Sequence, residues 1–252
     1  MTAAARTFLL LGSGEFEPWV GETELEALGG ATGDGSVIVL PTASATEGDG
    51  VFDRWSAMGL DHFRSMGVPA EVLPVKSRSD ALREELATRV AAASMVFFSG
   101  GKPKHLAEVL EATPLWTSIQ GALDRGAVYA GCSAGAMLAS QAHTDDAVRH
   151  AMGSGWLFGL GLVPAVSFGV HWDRTRWMPG VRPFTTSRLA PGAWFVGIDE
   201  RTAILGDGVT WEVHGRGGVT VHHDGGGQVY RSGQRFAAGE GAGTPGEVPP
   251  VP

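Results

Sequence analysis

Between Ala127 and Ser140 the chain reads Ala-Val-Tyr-Ala-Gly-Cys-Ser-Ala-Gly-Ala-Met-Leu-Ala-Ser, an apolar β-type run that passes through G-x-S-x-G into a helix-forming stretch. Ser133 at the junction has to turn sharply in a strained conformation. Gly131 and Gly135 on either side remove the side chains that would hold strand and helix apart. The pattern predicts Ser133 Oγ standing above a sheet at a helix amino terminus, where the amide of Ala134 can donate to a developing oxyanion with help from the helix dipole. With 38 glycines in 252 residues the five-residue pattern alone could be a plain tight turn, and it is the strand before it and the helix after it that give it weight.

The rest of the first two thirds fits that context. Short β-branched runs, Thr7 to Leu11, Ser36 to Leu40, Ala70 to Val75, Met95 to Ser99 and Ala127 to Ala130, alternate with helical periodicity. Leu82, Leu86 and Val90 share one helical face behind a Ser79-Asp80 cap, Leu115, Ile119 and Leu123 share another, and Gly67 and Gly126 read as helix terminators. After about Ala193 closely spaced strands follow, Trp194 to Ile198, Thr202 to Leu205, Val209 to Val213 and Gly218 to His222, expected as antiparallel additions to one sheet edge. The predicted class is therefore α/β with three layers: a mostly parallel central sheet, helices on both faces and C-terminal antiparallel strands. A single domain is expected over 1–236, with a disordered Gly/Pro-rich tail over 237–252.

Composition removes several classes of function. With 27 acidic against 19 basic residues the net charge is −8, which offers no footprint for a phosphate backbone, so nucleic acid is not an expected partner. No run approaches the ~20 apolar residues of a membrane helix, and the apolar stretch near the start breaks at Gly12, too early for a signal-peptide core. The single cysteine, Cys132, cannot close an intrachain disulfide, which fits a cytoplasmic location. A monomer or a homodimer is expected.

Further residues complete a possible site. Met95-Val-Phe-Phe-Ser-Gly-Gly101 is an apolar strand ending in paired glycines, so the amides of Gly100 or Gly101 could face Ser133 at the carboxyl edge of the sheet; a glycine turn with no ligand is the simpler reading of that element alone. A serine of ordinary pKa needs a base. Of the eight histidines, His171 follows the probable strand Leu160 to Val170 downstream of the serine and is the first candidate. His62 and His105 fall in amphipathic helices and read as surface residues, and His143 and His150 are reserves. His222, His223 and Asp224 in a hairpin make a weak metal site, and no metal is expected. For the carboxylate that orients the imidazole, Asp145 and Asp146 lie between Ser133 and His171, while Asp173 would point to the same side of a strand as His171 but close to it. Cys132 should point to the core as a small hydrophobe.

These motifs resemble the family of serine peptidases that includes dipeptidase E and cyanophycinase. The resemblance rests on Gly12-Ser-Gly-Glu-Phe16, Phe97-Phe-Ser-Gly-Gly101, Gly131-Cys-Ser-Ala-Gly-Ala136, Gly161-Leu-Val-Pro164 before His171, and Gly197-Ile-Asp-Glu-Arg-Thr-Ala203. It implies the class I glutamine-amidotransferase-like fold, with Ser133 as nucleophile, His171 as base, Asp145 or Asp146 where the dipeptidase members keep their aspartate, Gly101 and Ala134 as oxyanion donors, and no cofactor. Two departures bear on substrate. Lys102 and Pro103 follow the glycine pair where these enzymes usually carry Asn, Asp or Gln, and Phe168, Gly169 and Val170 replace acidic and amide side chains before the histidine, so a cyanophycin-type substrate is less expected. Lys102, Arg174, Arg176 and Arg182 could hold a substrate carboxylate, although solvated surface arginines are commoner. The expected function is a serine peptidase or amidohydrolase acting on a small peptide or amide through a Ser133 acyl-enzyme, with an aspartyl-dipeptidase-like activity as the form the resemblance implies. The rival is a catalytically silent relative that binds a small acidic ligand in the same cleft. A lipase-like α/β hydrolase would place its histidine near the chain end after a longer cap region, an arrangement not seen here.

Overall fold

The computed structural model describes residues 6–141, 159–178, 189 and 191–242. Its centre is built from the apolar runs: β1 (Thr7–Leu11), β2 (Val37–Leu40), β3 (Ala70–Val72), β4 (Met95–Phe98) and β5 (Val128–Cys132). They lie parallel in the order β1-β5-β4-β2-β3. Period-two alternation sends Phe8, Leu10, Ile38, Phe98 and Tyr129 to one face and Leu9, Leu11, Val39, Phe97 and Cys132 to the other, and all are buried. Burial on both faces is why β1, β2, β4 and β5 read as continuous apolar runs rather than as alternating ones, while the edge strand β3 is half-buried and carries Glu71.

Helices α1 (Gly21–Gly29) and α2 (Asp49–Ser65) cover the face that carries Leu9 and Phe97. The opposite face is covered by α4 (Glu84–Arg89), α5 (Pro103–Leu110) and α6 (Pro114–Asp124), with the short α3 (Arg78–Ala81) ahead of them. Leu115, Ile119 and Leu123 are buried on α6 as their spacing predicts. The Leu82-Leu86-Val90 stripe differs. It is split between α3 and α4, and the capping residue is Ser77, whose backbone N–H reaches the Asp80 carboxylate at 2.9 Å in a capping box. Leu82 falls at the break and is exposed, while Leu86 and Val90 are buried.

The C-terminal strands do not all join one edge. The chain alternates between two sheets. Strands β6 (Val166–Gly169) and β7 (Trp194–Ile198) pair in parallel, β8 (Thr202–Gly206) and β9 (Thr210–Gly215) extend the main sheet antiparallel beyond β1, and β10 (Gly218–His223) and β11 (Gly226–Arg231) return to β7. A last strand, β12 (Arg235–Ala237), closes on β9. Among the described residues the result is an eight-stranded sheet and a four-stranded sheet in the order β11-β10-β7-β6. Every residue of β7 is buried, which a position between two neighbours against the core allows and a free edge does not.

The segment expected as a tail begins inside the fold. Ala237 and Ala238 are buried, the Ala238 N–H donates to Val209 O at 2.9 Å, and its carbonyl accepts from Trp211 Nε1 at 3.0 Å. Residues 243–252 lie outside the described residues. Among the described residues no helix is long and apolar enough to cross a membrane.

Candidate active site

β5 lies between β1 and β4, so three strand ends meet around its carboxyl terminus, with Leu11 opposite Cys132 and Phe98 opposite Gly131. The Ser133 N–H donates to Leu11 O at 3.0 Å, the chain reverses at Ser133 with φ 50° and ψ −108°, and α7 (Ala134–Leu138) begins at the next residue. Such a non-glycine conformation costs about 1–3 kcal/mol and persists only where its surroundings enforce it. Here they do. A Cβ on Gly131 would sit 2.5 Å from the Gly135 carbonyl, and one on Gly135 would sit 2.4 Å from Phe98 O, so helix and strands touch backbone to backbone. The fully buried Tyr129 hydroxyl also donates to Gly135 O at 2.6 Å.

His171 comes from the second sheet. It follows β6 by two residues, adopts a left-handed conformation (φ 49°, ψ 40°) and starts the helical turn Trp172–Thr175. The Trp172 ring lies against Gly197, where a Cβ would come within 2.5 Å of it, and this contact fixes the turn on β7. His171 Nε2 stands 3.1 Å from Ser133 Oγ.

The carboxylate on the far side of the ring is Glu200. β6 and β7 run parallel with Gly169 beside Gly197, and Glu200 follows β7 by two residues as His171 follows β6. Glu200 Oε1 is 3.1 Å from His171 Nδ1. A carboxylate only accepts, so the neutral ring carries its proton on Nδ1 and turns the Nε2 lone pair to the serine hydroxyl. Glu200 is itself held: its N–H donates to Asp173 Oδ1 at 2.9 Å and its Oε2 forms an ion pair with Arg174, 3.0 Å from Nε. Asp173 is thus on a helical turn rather than a strand and meets the backbone of Glu200, not His171. Asp145 and Asp146, like His143, His150 and Arg182, lie outside the described residues. Glu200 sits in the Gly197–Ala203 stretch, and the sequence signal for it is its place just after an apolar strand, matching that of His171.

Of the expected oxyanion donors, Ala134 directly follows Ser133 and Gly101 directly follows Gly100, at which a Cβ would lie 3.4 Å from Ser133 Cβ, and neither the Gly101 nor the Ala134 amide has a partner among the described residues. Gly100 is different, because its N–H is committed to Glu15 Oε1 at 2.8 Å. Lys102 is exposed at the N-cap of α5. Arg174 is mostly exposed, but its Nε is taken by Glu200. Arg176 lies over the Trp177 ring at 5.1 Å and, with Trp172 and His222, lines a cavity of about 280 Å³ on the second sheet.

Cys132 is fully buried, and burial first, then the Glu15 charge beside it, pushes its thiol pKa well above the ordinary value. A thiol held protonated in this way is not a nucleophile. His62, expected at the surface, is buried against the fully buried carboxylate of Glu24, because α2 turns it inward beside Phe16. His105 Nε2 meets Lys76 O at 3.0 Å, and His223 stacks on Trp194 with ring centroids 3.8 Å apart.

Comparison with known proteins adds three findings. The family model for peptidase family S51 matches residues 8–213, a stretch that contains Ser133, His171 and Glu200. Curated relatives include the cyanophycinase of Synechococcus elongatus, 31% identical over 198 residues, and that of Trichormus variabilis, 29% identical over 168 residues. The matches cover 75% and 63% of this chain but only 58% and 55% of those proteins, so the chain spans a little over half the length of the curated relatives it matches. The crystal structure of a peptidase from an acI-B1 Actinobacterium superposes with a TM-score of 0.83 at 27% identity, covering 93% of this chain and 98% of that one. The sheet order, the strand–serine–helix turn and the extent of the family match agree: the chain belongs to peptidase family S51.

Proposed function

We propose that the chain is a serine-type peptidase that cleaves a small peptide or amide through an acyl-enzyme on Ser133, with His171 as base and Glu200 as the carboxylate that orients it. The observation that carries this reading is the unbroken run of contacts from Ser133 Oγ to His171 Nε2 at 3.1 Å and from His171 Nδ1 to Glu200 Oε1 at 3.1 Å. His171 Nε2 takes the hydroxyl proton as Ser133 Oγ bonds to the substrate carbonyl carbon. The oxyanion that forms accepts from the Gly101 and Ala134 amides, while Glu200 stabilises the imidazolium. The C–N bond then breaks, the amine leaves with the proton from Nε2, and water, deprotonated by the same nitrogen, releases the acid and restores the serine.

A short peptide with a free amino terminus is the substrate class we favour, by resemblance to dipeptidase E. The cyanophycinase names among the relatives keep a peptide substrate in view, although Phe168, Gly169 and Val170 offer no polar side chain but the backbone. Acting without a cofactor, such an enzyme suits the cytoplasm, where the lone cysteine stays reduced. The test is hydrolysis of a dipeptide panel by the parent and by Ser133→Ala. Turnover by the parent that vanishes in the variant is expected, and equal rates would remove Ser133 from the chemistry.

A further inference from the structure

Glu15 is a buried carboxylate that no step of the proposed reaction uses. It follows β1 in Gly12-Ser-Gly-Glu15 and is only 6% exposed. Its Oε1 accepts from the Gly100 N–H at 2.8 Å, and its Oε2 accepts from Cys132 Sγ at 2.9 Å. The thiol is the donor because it stays protonated. One side chain therefore ties the ends of β1, β4 and β5 together directly behind the serine.

The packing there leaves no slack. A Cβ on Gly100 would lie 3.0 Å from Glu15 Oε1 and 3.4 Å from Ser133 Cβ, so carboxylate, glycine and serine share one contact. On the other side, Gly101 has φ +143° and no room for a side chain, since a Cβ would lie 2.4 Å from Ala43 O, and the Lys102 N–H donates to that same carbonyl at 2.7 Å. The Gly100-Gly101 segment is thus anchored at its front by Glu15 and at its back by Ala43. With the Gly100 N–H turned to Glu15, the amide of the next residue, Gly101, is the one left without a partner among the described residues.

We infer that Glu15 is a positioning residue for the oxyanion site: by holding the Gly100 N–H and the Cys132 thiol it sets the direction of the Gly101 amide relative to Ser133. This rests on the reading of Ser133 as nucleophile and Gly101 as oxyanion donor. Loss of an oxyanion donor costs about 10²–10³ in rate, and misplacement by about 1 Å costs up to about 10²-fold, so loosening the anchor falls on the chemical step.

The experiment is labelling of Ser133 by a fluorophosphonate probe, in which Oγ bonds to phosphorus, fluoride leaves, and the phosphoryl oxygen occupies the oxyanion position. Saturation kinetics separate kinact from KI, and melting curves confirm that each variant is folded at the assay temperature. Glu15→Ala is expected to lower kinact about 10- to 100-fold with KI and the pH profile unchanged. Glu15→Gln keeps an acceptor for Gly100 and is expected to regain most of the rate. Where Glu15→Ala does not fold, Glu15→Asp, too short to reach both partners, is expected to show the same selective fall in kinact. Parental kinact in Glu15→Ala or Glu15→Asp, or a loss that Glu15→Gln does not relieve, overturns the inference while Ser133 labelling of the parent stands. A parent that never labels at Ser133 overturns the hydrolase reading and this inference with it.

Discussion

His171 Nδ1 meets Glu200 Oε1 at 3.1 Å across 29 residues of chain, and the same carboxylate takes Arg174 Nε on its other oxygen. Replacing Glu200 by Gln would present an amide N–H or a neutral oxygen to the ring and remove the charge that supports the imidazolium. By analogy with carboxylate-to-amide changes in serine triads, Glu200→Gln is expected to lower kcat by about 10³–10⁴ with little change in KM. Asp145→Asn and Asp146→Asn are expected to leave kcat near the parent's. Steady-state kinetics on a cleaved dipeptide decide between the two, and the reverse pattern would assign the role to the aspartate pair.

The difference between Ser133 and Glu200 shows what a sequence can carry. The Ser133 turn is local: strand, glycine, serine, glycine and helix are contiguous, so their meaning survives without the fold. Four of the five parallel strands, β1, β2, β4 and β5, are legible for a similar reason, since burial on both faces writes itself as unbroken apolar runs, whereas the half-buried edge strand β3 carries Glu71. Glu200 reaches His171 only because β6 and β7 pair in parallel, with Phe168 beside Val196, and nothing in either strand announces that partner. Spacing along the chain points instead to Asp145 and Asp146, which lie outside the described residues. The division of the C-terminal strands is hidden likewise, because β7 and β10 join one sheet while the intervening β8 and β9 join the other, a pairing that their similar lengths do not encode.

The raised thiol pKa of Cys132 makes a statement about stability in alkali. In the folded chain the thiol stays protonated well above its ordinary 9.0, whereas the unfolded chain ionises near that value. Above it the unfolded state therefore binds fewer protons than the folded one, so this contribution is full below pH 9.0 and is lost as pH rises. Urea midpoints are expected to fall above that pH, reporting a loss of unfolding free energy of up to about 1.4 kcal/mol per pH unit for one such group. Cys132→Ala should flatten the slope until the buried Tyr129, also raised by burial, takes over above pH 10.0. An unchanged slope in Cys132→Ala would show that the thiol ionises alike in both states.

Glu24 on α1 and His62 on α2 form a buried pair, with Glu24 fully buried. His62→Ala strands that carboxylate and is expected to destabilise the fold by about 3–5 kcal/mol, whereas Glu24→Leu with His62→Leu removes both partners and should recover most of the loss. Chemical denaturation of the two variants is the measurement. A single variant as stable as the parent would mean that the pair does not hold α1 and α2 together.

Gly135 tests whether the serine turn depends on close backbone contact. An Ala Cβ at this position would lie 2.4 Å from Phe98 O and 2.7 Å from Phe98 Cβ, so α7 has to move off β4 or the strand has to yield. Overpacking of this kind costs about 1–3 kcal/mol, and the shift passes directly to Ser133, two residues away. Gly135→Ala is therefore expected to lose activity out of proportion to stability, by about 10²-fold for a displacement near 1 Å, when both are measured below its melting temperature. Gly29→Ala on α1, where nothing lies within 4 Å, is the control and should keep both activity and stability. If Gly135→Ala turned over substrate like the parent, Ser133 would hold its position without the contact between α7 and β4.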